Sequence, residues 1–135
     1  MIYFDTNVYL YAFLENIDDE NQQKKSIECL EKALQAENLL TSEIILYEYA
    51  FVAKKLNENP TQIDQNLNFL TNFIQPSHDI YTRVLDILSQ KNFYKNSFDV
   101  FHLAFAEKNG CDSFVTFDKG FKKLQDMTNM EIIIL

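Results

Sequence analysis

Four carboxylates in this chain are set against apolar side chains. Asp5 ends the run Met1-Ile2-Tyr3-Phe4. Glu48 lies inside Ile44-Ile45-Leu46-Tyr47-Glu48-Tyr49-Ala50-Phe51-Val52. Asp99 lies inside Phe98-Asp99-Val100-Phe101-His102-Leu103-Ala104-Phe105-Ala106. Asp118 closes Phe114-Val115-Thr116-Phe117. A buried carboxylate without a partner costs several kcal/mol, so it is paired, neutralised or bound to a cation. The chain has one arginine, Arg83, and few lysines near these runs. Convergence on divalent metal is the leading reading, and phosphodiester chemistry follows from it.

Each acid has a plainer explanation to be weighed. Asp86 shows how a solvated helical acid looks: its neighbours at i−4, i−3 and i+4 are Thr82, Arg83 and Gln90, a polar stripe. Glu48 has Ile44, Ile45, Phe51 and Val52 around it and is expected to have no solvated face. Asp99 has two open readings, an acid favoured by a helix dipole or a metal ligand. Asp5 and Asp118 follow strands, where an aspartate can simply begin a turn. Thr6 and Asn7 beside Asp5, and Thr116 before Asp118, can orient these carboxylates or reach a cation through water.

An Asp/Glu cluster without cysteine suits Mg²⁺ or Mn²⁺, which prefer oxygen ligands and keep several waters. Two such ions about 4 Å apart activate an attacking water and stabilise the leaving oxygen of a phosphodiester. The expected reaction is metal-assisted hydrolysis with water as nucleophile. A formal net charge of −8 argues against a broad electrostatic nucleic-acid face, but two divalent cations would halve it. An acidic chain also suits a basic protein partner.

Other residues invite weaker readings. His102, three residues after Asp99, could approach a metal or a phosphate, but a packed histidine is favoured because hard cations prefer oxygen. His78 is expected in a loop, structural or exposed. Lys119, Lys122 and Lys123 could hold substrate phosphates, although an ordinary solvated helix face is slightly favoured. Tyr9, Tyr11, Tyr47 and Tyr49 could stack on bases, with core or dimer packing favoured. A single arginine cannot spread bidentate base readout over a surface.

Alternating strands and helices must position these groups. Strands are expected at residues 1–4, 39–41, 113–117 and 131–135, with a further short one around 72–74. Helices are expected at 7–14, 22–36, 43–56 capped by Ser42, 60–73, 79–90, 98–109 capped by Ser97, and 119–125. Gly110 suits the left-handed position after a helix. This order implies an α/β fold, a mostly parallel sheet covered by helices on both faces. Ligand sites in such sheets lie beyond the carboxyl ends of the strands, where Asp5 and Asp118 fall.

The 135 residues, 47% of them apolar, suit one domain over 1–135. Cys29 and Cys111 form no C-x-x-C pair and are read as reduced thiols. The N-terminus lacks the pattern of a signal peptide, and no apolar run approaches a membrane span. A soluble, cytoplasmic protein is expected.

With these residues located, the chain resembles the PIN-domain ribonucleases, especially the small VapC-type toxins of toxin–antitoxin pairs. The resemblance rests on Ile2-Tyr3-Phe4-Asp5-Thr6-Asn7-Val8, Thr41-Ser42 through Glu48, residues 98–106, and Cys111 through Phe121. It implies an α/β/α sandwich and a metal-dependent endoribonuclease, with Asp5, Glu48, Asp99 and Asp118 in the acidic site. Asn7 and Thr116 match supporting polar positions. It further implies an RNA substrate, a homodimer and, for the toxin branch, an antitoxin covering the site. The acidic stretch Asp18-Asp19-Glu20 is less typical and could alter access. The alternatives are a housekeeping RNA-processing nuclease and a PIN-fold binding module without chemistry. A receiver-like phosphoacceptor domain lacks its adjacent acid pair and acceptor here. A D-x-D phosphatase is disfavoured by Asn7.

Overall fold

The computed structural model describes residues 1–77, 79–90 and 97–135. Strand β1 (Ile2–Phe4) leads into helix α1 (Thr6–Phe13). Helix α2 (Glu20–Gln35), strand β2 (Leu39–Leu40), and helices α3 (Glu43–Lys55), α4 (Pro60–Thr71), α5 (Ile80–Gln90) and α6 (Ser97–Lys108) follow. Strand β3 (Ser113–Thr116), a 3₁₀ segment (Lys119–Met127) and strand β4 (Glu131–Ile134) complete it. The sheet is wholly parallel, in the order β2-β1-β3-β4.

That order places the chain's reversal of direction at β1. The connection from β1 runs outward to β2, and the return passes over β1 to β3 on its other side. The crevice between the carboxyl ends of β1 and β3 is therefore the topological switch point, where α/β sheets bind ligands. Tyr3 and Phe4 point to opposite faces of β1, yet both are fully buried, so helices cover both faces of the sheet. Tyr3 lies among Phe105, Phe114 and the ring of His102, and Phe114 packs on Phe121.

Local chemistry sets the element ends. Asp19 accepts from the Gln22 amide at the start of α2, and Asn59 accepts from Thr61 ahead of α4, whose first residue is Pro60. Gly110 takes a φ of 72° after α6. Two expectations are corrected. Ser42 sits at the N-cap of α3 but makes no side-chain cap bond, because its hydroxyl turns inward to Tyr3. The short strand around 72–74 is one bridge, Thr41 to Ile74, with Thr41 donating to Phe73. The short helix expected after Asp118 is present as a 3₁₀ segment. The Ser97 cap and His78 lie outside the described residues and side chains. Cys29 and Cys111 are free thiols. Among the described residues, no helix is long and apolar enough to cross a membrane.

Candidate metal centre

Asp5 is the best-determined group of the crevice. Its backbone N–H donates to Val115, fixing β1 against β3 one residue beyond the strand. One carboxylate oxygen accepts from the Thr6 amide at 2.8 Å. The other accepts from the Thr116 hydroxyl at 2.7 Å and from the Asn7 amide at 3.2 Å. Thr116 is fully used: its hydroxyl donates to Asp5 and accepts from Asn7 and from the Asp118 amide. Asn7 in turn accepts from the Phe117 amide at 3.3 Å. Thr6, Asn7 and Thr116 thus hold the carboxylate, as their places in the sequence suggest. Burial raises the Asp5 carboxyl above its usual range, against the opposing Thr116 bond.

Glu48 comes to Asp5 from α3. Its oxygens accept from the Thr6 hydroxyl at 2.5 Å and from His102 Nε2 at 2.7 Å. Burial alone would raise its carboxyl, but the His102 bond and charge, with the Thr6 bond, outweigh it and hold the group below its usual range. The expectation that Glu48 has no solvated face is wrong. Its side chain is 32% exposed, and Phe51, one of the apolar neighbours used in that argument, is 72% exposed. An apolar helical neighbour marks burial only if it is itself buried. One ligand atom each from Asp5, Glu48 and His102 lies within 4.8 Å of the others.

Asp99 is half-buried near the start of α6. Desolvation first, then the charges of Asp5, Asp118 and Glu48, push its carboxyl up to about 6. Asp99 therefore lies in the field of the other three acids. Asp118 is the outlier. It is exposed, and one oxygen accepts from the Gly120 amide at 2.8 Å, opening the 3₁₀ turn. The notion that all four acids are sunk in apolar surroundings holds for Asp5, in part for Glu48 and Asp99, and not for Asp118.

The packed reading of His102 describes its burial, at 1% exposure, but it is also bonded to Glu48. Its Nδ1 meets the Tyr3 hydroxyl at 2.7 Å, and that hydroxyl meets Ser42 Oγ at 2.8 Å. Sequence reasoning missed Tyr3 and Ser42. The available signal was a phenol in the middle of an otherwise apolar buried strand, since such an oxygen needs a partner. Tyr9 and Tyr49 are core residues, Tyr11 packs edge-on against Phe117, and Tyr47 is exposed. Lys119, Lys122 and Lys123 are exposed beside Asp118. A cavity of about 430 Å³ adjoins the crevice through Asn7, with Tyr11, Asp18 and Asp19 in its wall.

The donor set fits a divalent cation: carboxylate oxygens converge, and among the described residues neither lysine nor arginine ion-pairs with any of the four acids. A cation there would remove the mutual repulsion that raises Asp99. A parallel α/β sandwich with acidic side chains at its switch point has the oxygen ligands to hold a divalent cation there. The PIN domain family model matches residues 2–127, and the chain belongs to the PIN domain family. PIN domains are generally nucleases and typically use divalent metals. No curated protein matches the chain.

Proposed function

We propose that the chain is a Mg²⁺- or Mn²⁺-dependent endoribonuclease, a single domain over 1–135 acting in the cytoplasm as the toxin of a toxin–antitoxin pair. The observation that carries the reading is the convergence of Asp5 and Glu48 at the switch point, with Asp99 in the field of Asp5, Asp118 and Glu48 and with neither lysine nor arginine paired to these acids among the described residues. Asp5, Glu48, Asp99 and Asp118 would hold the cations, which supply an activated water and charge stabilisation at the phosphodiester. Thr6, Asn7 and Thr116 keep Asp5 and Glu48 oriented. Lys119, Lys122 and Lys123 stand exposed beside Asp118, suited to draw an RNA backbone toward the acids.

Two surface features favour the protein partners of the toxin reading, a second copy of the chain and an antitoxin. Tyr47 and Phe51 are exposed on the helix that carries Glu48, and Tyr81 and Leu85 are exposed on α5. Apolar side chains spaced i, i+4 on two helices suit protein contact. The test is cleavage of defined RNAs with Mg²⁺ or Mn²⁺ and with chelator. Wild type is expected to cleave only with metal, and Asp5→Asn and Asp99→Asn to be inactive. Cleavage that survives chelation or both changes refutes the nuclease site. A neighbouring reading frame for a small DNA-binding protein separates toxin from RNA-processing enzyme.

A further inference from the structure

We propose that Ser42, Tyr3 and His102 form a directed hydrogen-bond chain that positions Glu48, with His102 a positioning residue rather than a metal ligand. The inference rests on the metal site proposed above and adds residues to it. The chain starts at the β2–α3 junction, crosses β1 to α6 and returns to α3: Ser42 Oγ to Tyr3 at 2.8 Å, Tyr3 to His102 Nδ1 at 2.7 Å, His102 Nε2 to Glu48 at 2.7 Å. Ser42 and Tyr3 are fully buried and His102 is 1% exposed, so water does not compete for these bonds.

The order of donors follows from the end of the chain. Nε2 faces a carboxylate oxygen, an acceptor only, so Nε2 carries the hydrogen. In the neutral ring Nδ1 then accepts from Tyr3, whose oxygen accepts from Ser42; in the imidazolium Nδ1 donates to Tyr3 and the phenol donates on to Ser42. Both ring nitrogens are thereby occupied. Although His102 lies close enough to Asp5 and Glu48 to be counted with them, it has no lone pair left for a cation.

The geometry also explains two oddities. Ser42 forgoes the cap of α3 because its hydroxyl feeds this chain. A phenol sits in the central strand because Tyr3 shares a face of β1 with Asp5, two residues on, so one strand fixes both acids. Glu48 needs such support: it is a long side chain, 32% exposed, on a helix remote in sequence from Asp5. Thr6 grips one oxygen and His102 the other, leaving lone pairs on both for a cation.

The test compares Tyr3→Phe, Ser42→Ala, His102→Gln and His102→Ala with wild type in the full chain. Mn²⁺ binding is read by calorimetry, and kcat and KM are measured on a cleaved RNA. Tyr3→Phe and His102→Ala are expected to weaken Mn²⁺ binding by about tenfold, in the range for groups behind metal ligands. They should lower kcat with little change in KM. His102→Gln, which keeps an N–H donor, should recover part of the loss, and Ser42→Ala should show the smallest effect. Nitrogen-resolved NMR of wild type is expected to show a proton on Nε2 of His102. If His102→Ala fails to fold, Tyr3→Phe carries the comparison. Wild-type Mn²⁺ affinity in Tyr3→Phe and His102→Gln, or an Nε2 without a proton, overturns the positioning chain alone. A wild-type protein that binds no Mn²⁺ overturns the metal site together with it.

Discussion

Two groups of carboxylates among the described residues are satisfied in opposite ways. Between α5 and α6, Arg83 bonds to Glu107 at 2.7 Å, to Asp86 at 2.5 Å and to the Met127 carbonyl at the end of the 3₁₀ segment. One guanidinium thus serves two acids and the end of the 3₁₀ segment. At the mouth of β1 and β3, among the described residues, the acids receive hydroxyl, amide and imidazole donors. The chain's one arginine holds helices together, and no lysine or arginine pairs with the acids at the strand ends among the described residues. A carboxylate cluster built for stability carries its own counter-charge; one built to hold cations leaves that charge to come from outside.

The sharpest way to break this contrast is to remove one acid from the crevice. Asp5→Asn is expected to reduce Mg²⁺-dependent cleavage at least about a hundredfold, beyond the 10–100-fold typical of groups behind metal ligands. Its metal-free stability should fall by no more than about 1–2 kcal/mol: burial opposes the removed charge, while the new amide NH₂ meets a donor on one side or the other. Cleavage assays paired with urea melts in chelator check both halves. A mutant that loses much more stability than this in chelator would make Asp5 a structural acid like Glu107.

Arg83→Ala should do the reverse. It strips the counter-charge from Glu107 and Asp86, which are partly exposed, so a loss of about 1–2 kcal/mol is expected from a networked pair near the surface. Urea midpoints measure this, and cleavage by the folded fraction should be unchanged. Reduced cleavage at full folding would show that the α5–α6 clamp and the crevice are coupled.

Much of this division was legible in the sequence, and the misses share a cause. The parallel sheet and the placing of Asp5 and Asp118 at strand ends follow from apolar runs ending in acids; the order β2-β1-β3-β4 does not, because strand partners far apart in sequence leave no local pattern. The polar stripe around Asp86 was also read from spacing, although its bond to Arg83 and the link onward to Glu107 were not. Glu48 does lie beside Asp5, but its apolar helical neighbours do not establish burial, since Phe51 is mostly solvent-facing. The Ser42–Tyr3–His102 chain was invisible because its members lie 39 and 99 residues apart in pairs, and side-chain contacts at that range have no local pattern. Ser42 was a sound cap by propensity, and a tertiary partner overrode it.

A gentler probe uses pH. The Asp99 carboxyl stands at about 6, against about 3.9 for an unfolded aspartate. The folded protein therefore binds this proton more tightly, and the Asp99 contribution to metal-free stability falls as pH rises from about 4 to 6. Because Asp99 is half-exposed, solvent screening keeps the effect small. Asp99→Asn should melt a few degrees above wild type at pH 7 in chelator and level with it at pH 4. Saturating Mg²⁺ should close the gap at pH 7 by stabilising wild type alone. A gap independent of pH would mean that Asp99 is not held in the field of its neighbours.

The smallest change asks to which region Asp118 belongs. A Cβ added at Gly120 would sit 3.0 Å from Asp118 Oδ1, the oxygen that accepts from the Gly120 amide. The carboxylate is exposed and can swing aside by a few tenths of an ångström, so Gly120→Ala should cost less than about 1 kcal/mol. If Asp118 serves the cations, that displacement should still lower cleavage a few-fold and weaken Mn²⁺ binding, measured side by side with thermal melts. If cleavage and binding stay at wild-type levels while the melt shifts, Asp118 serves the turn. The acidic crevice would then consist of Asp5, Glu48 and Asp99, with Asp118 contributing only its charge at a distance.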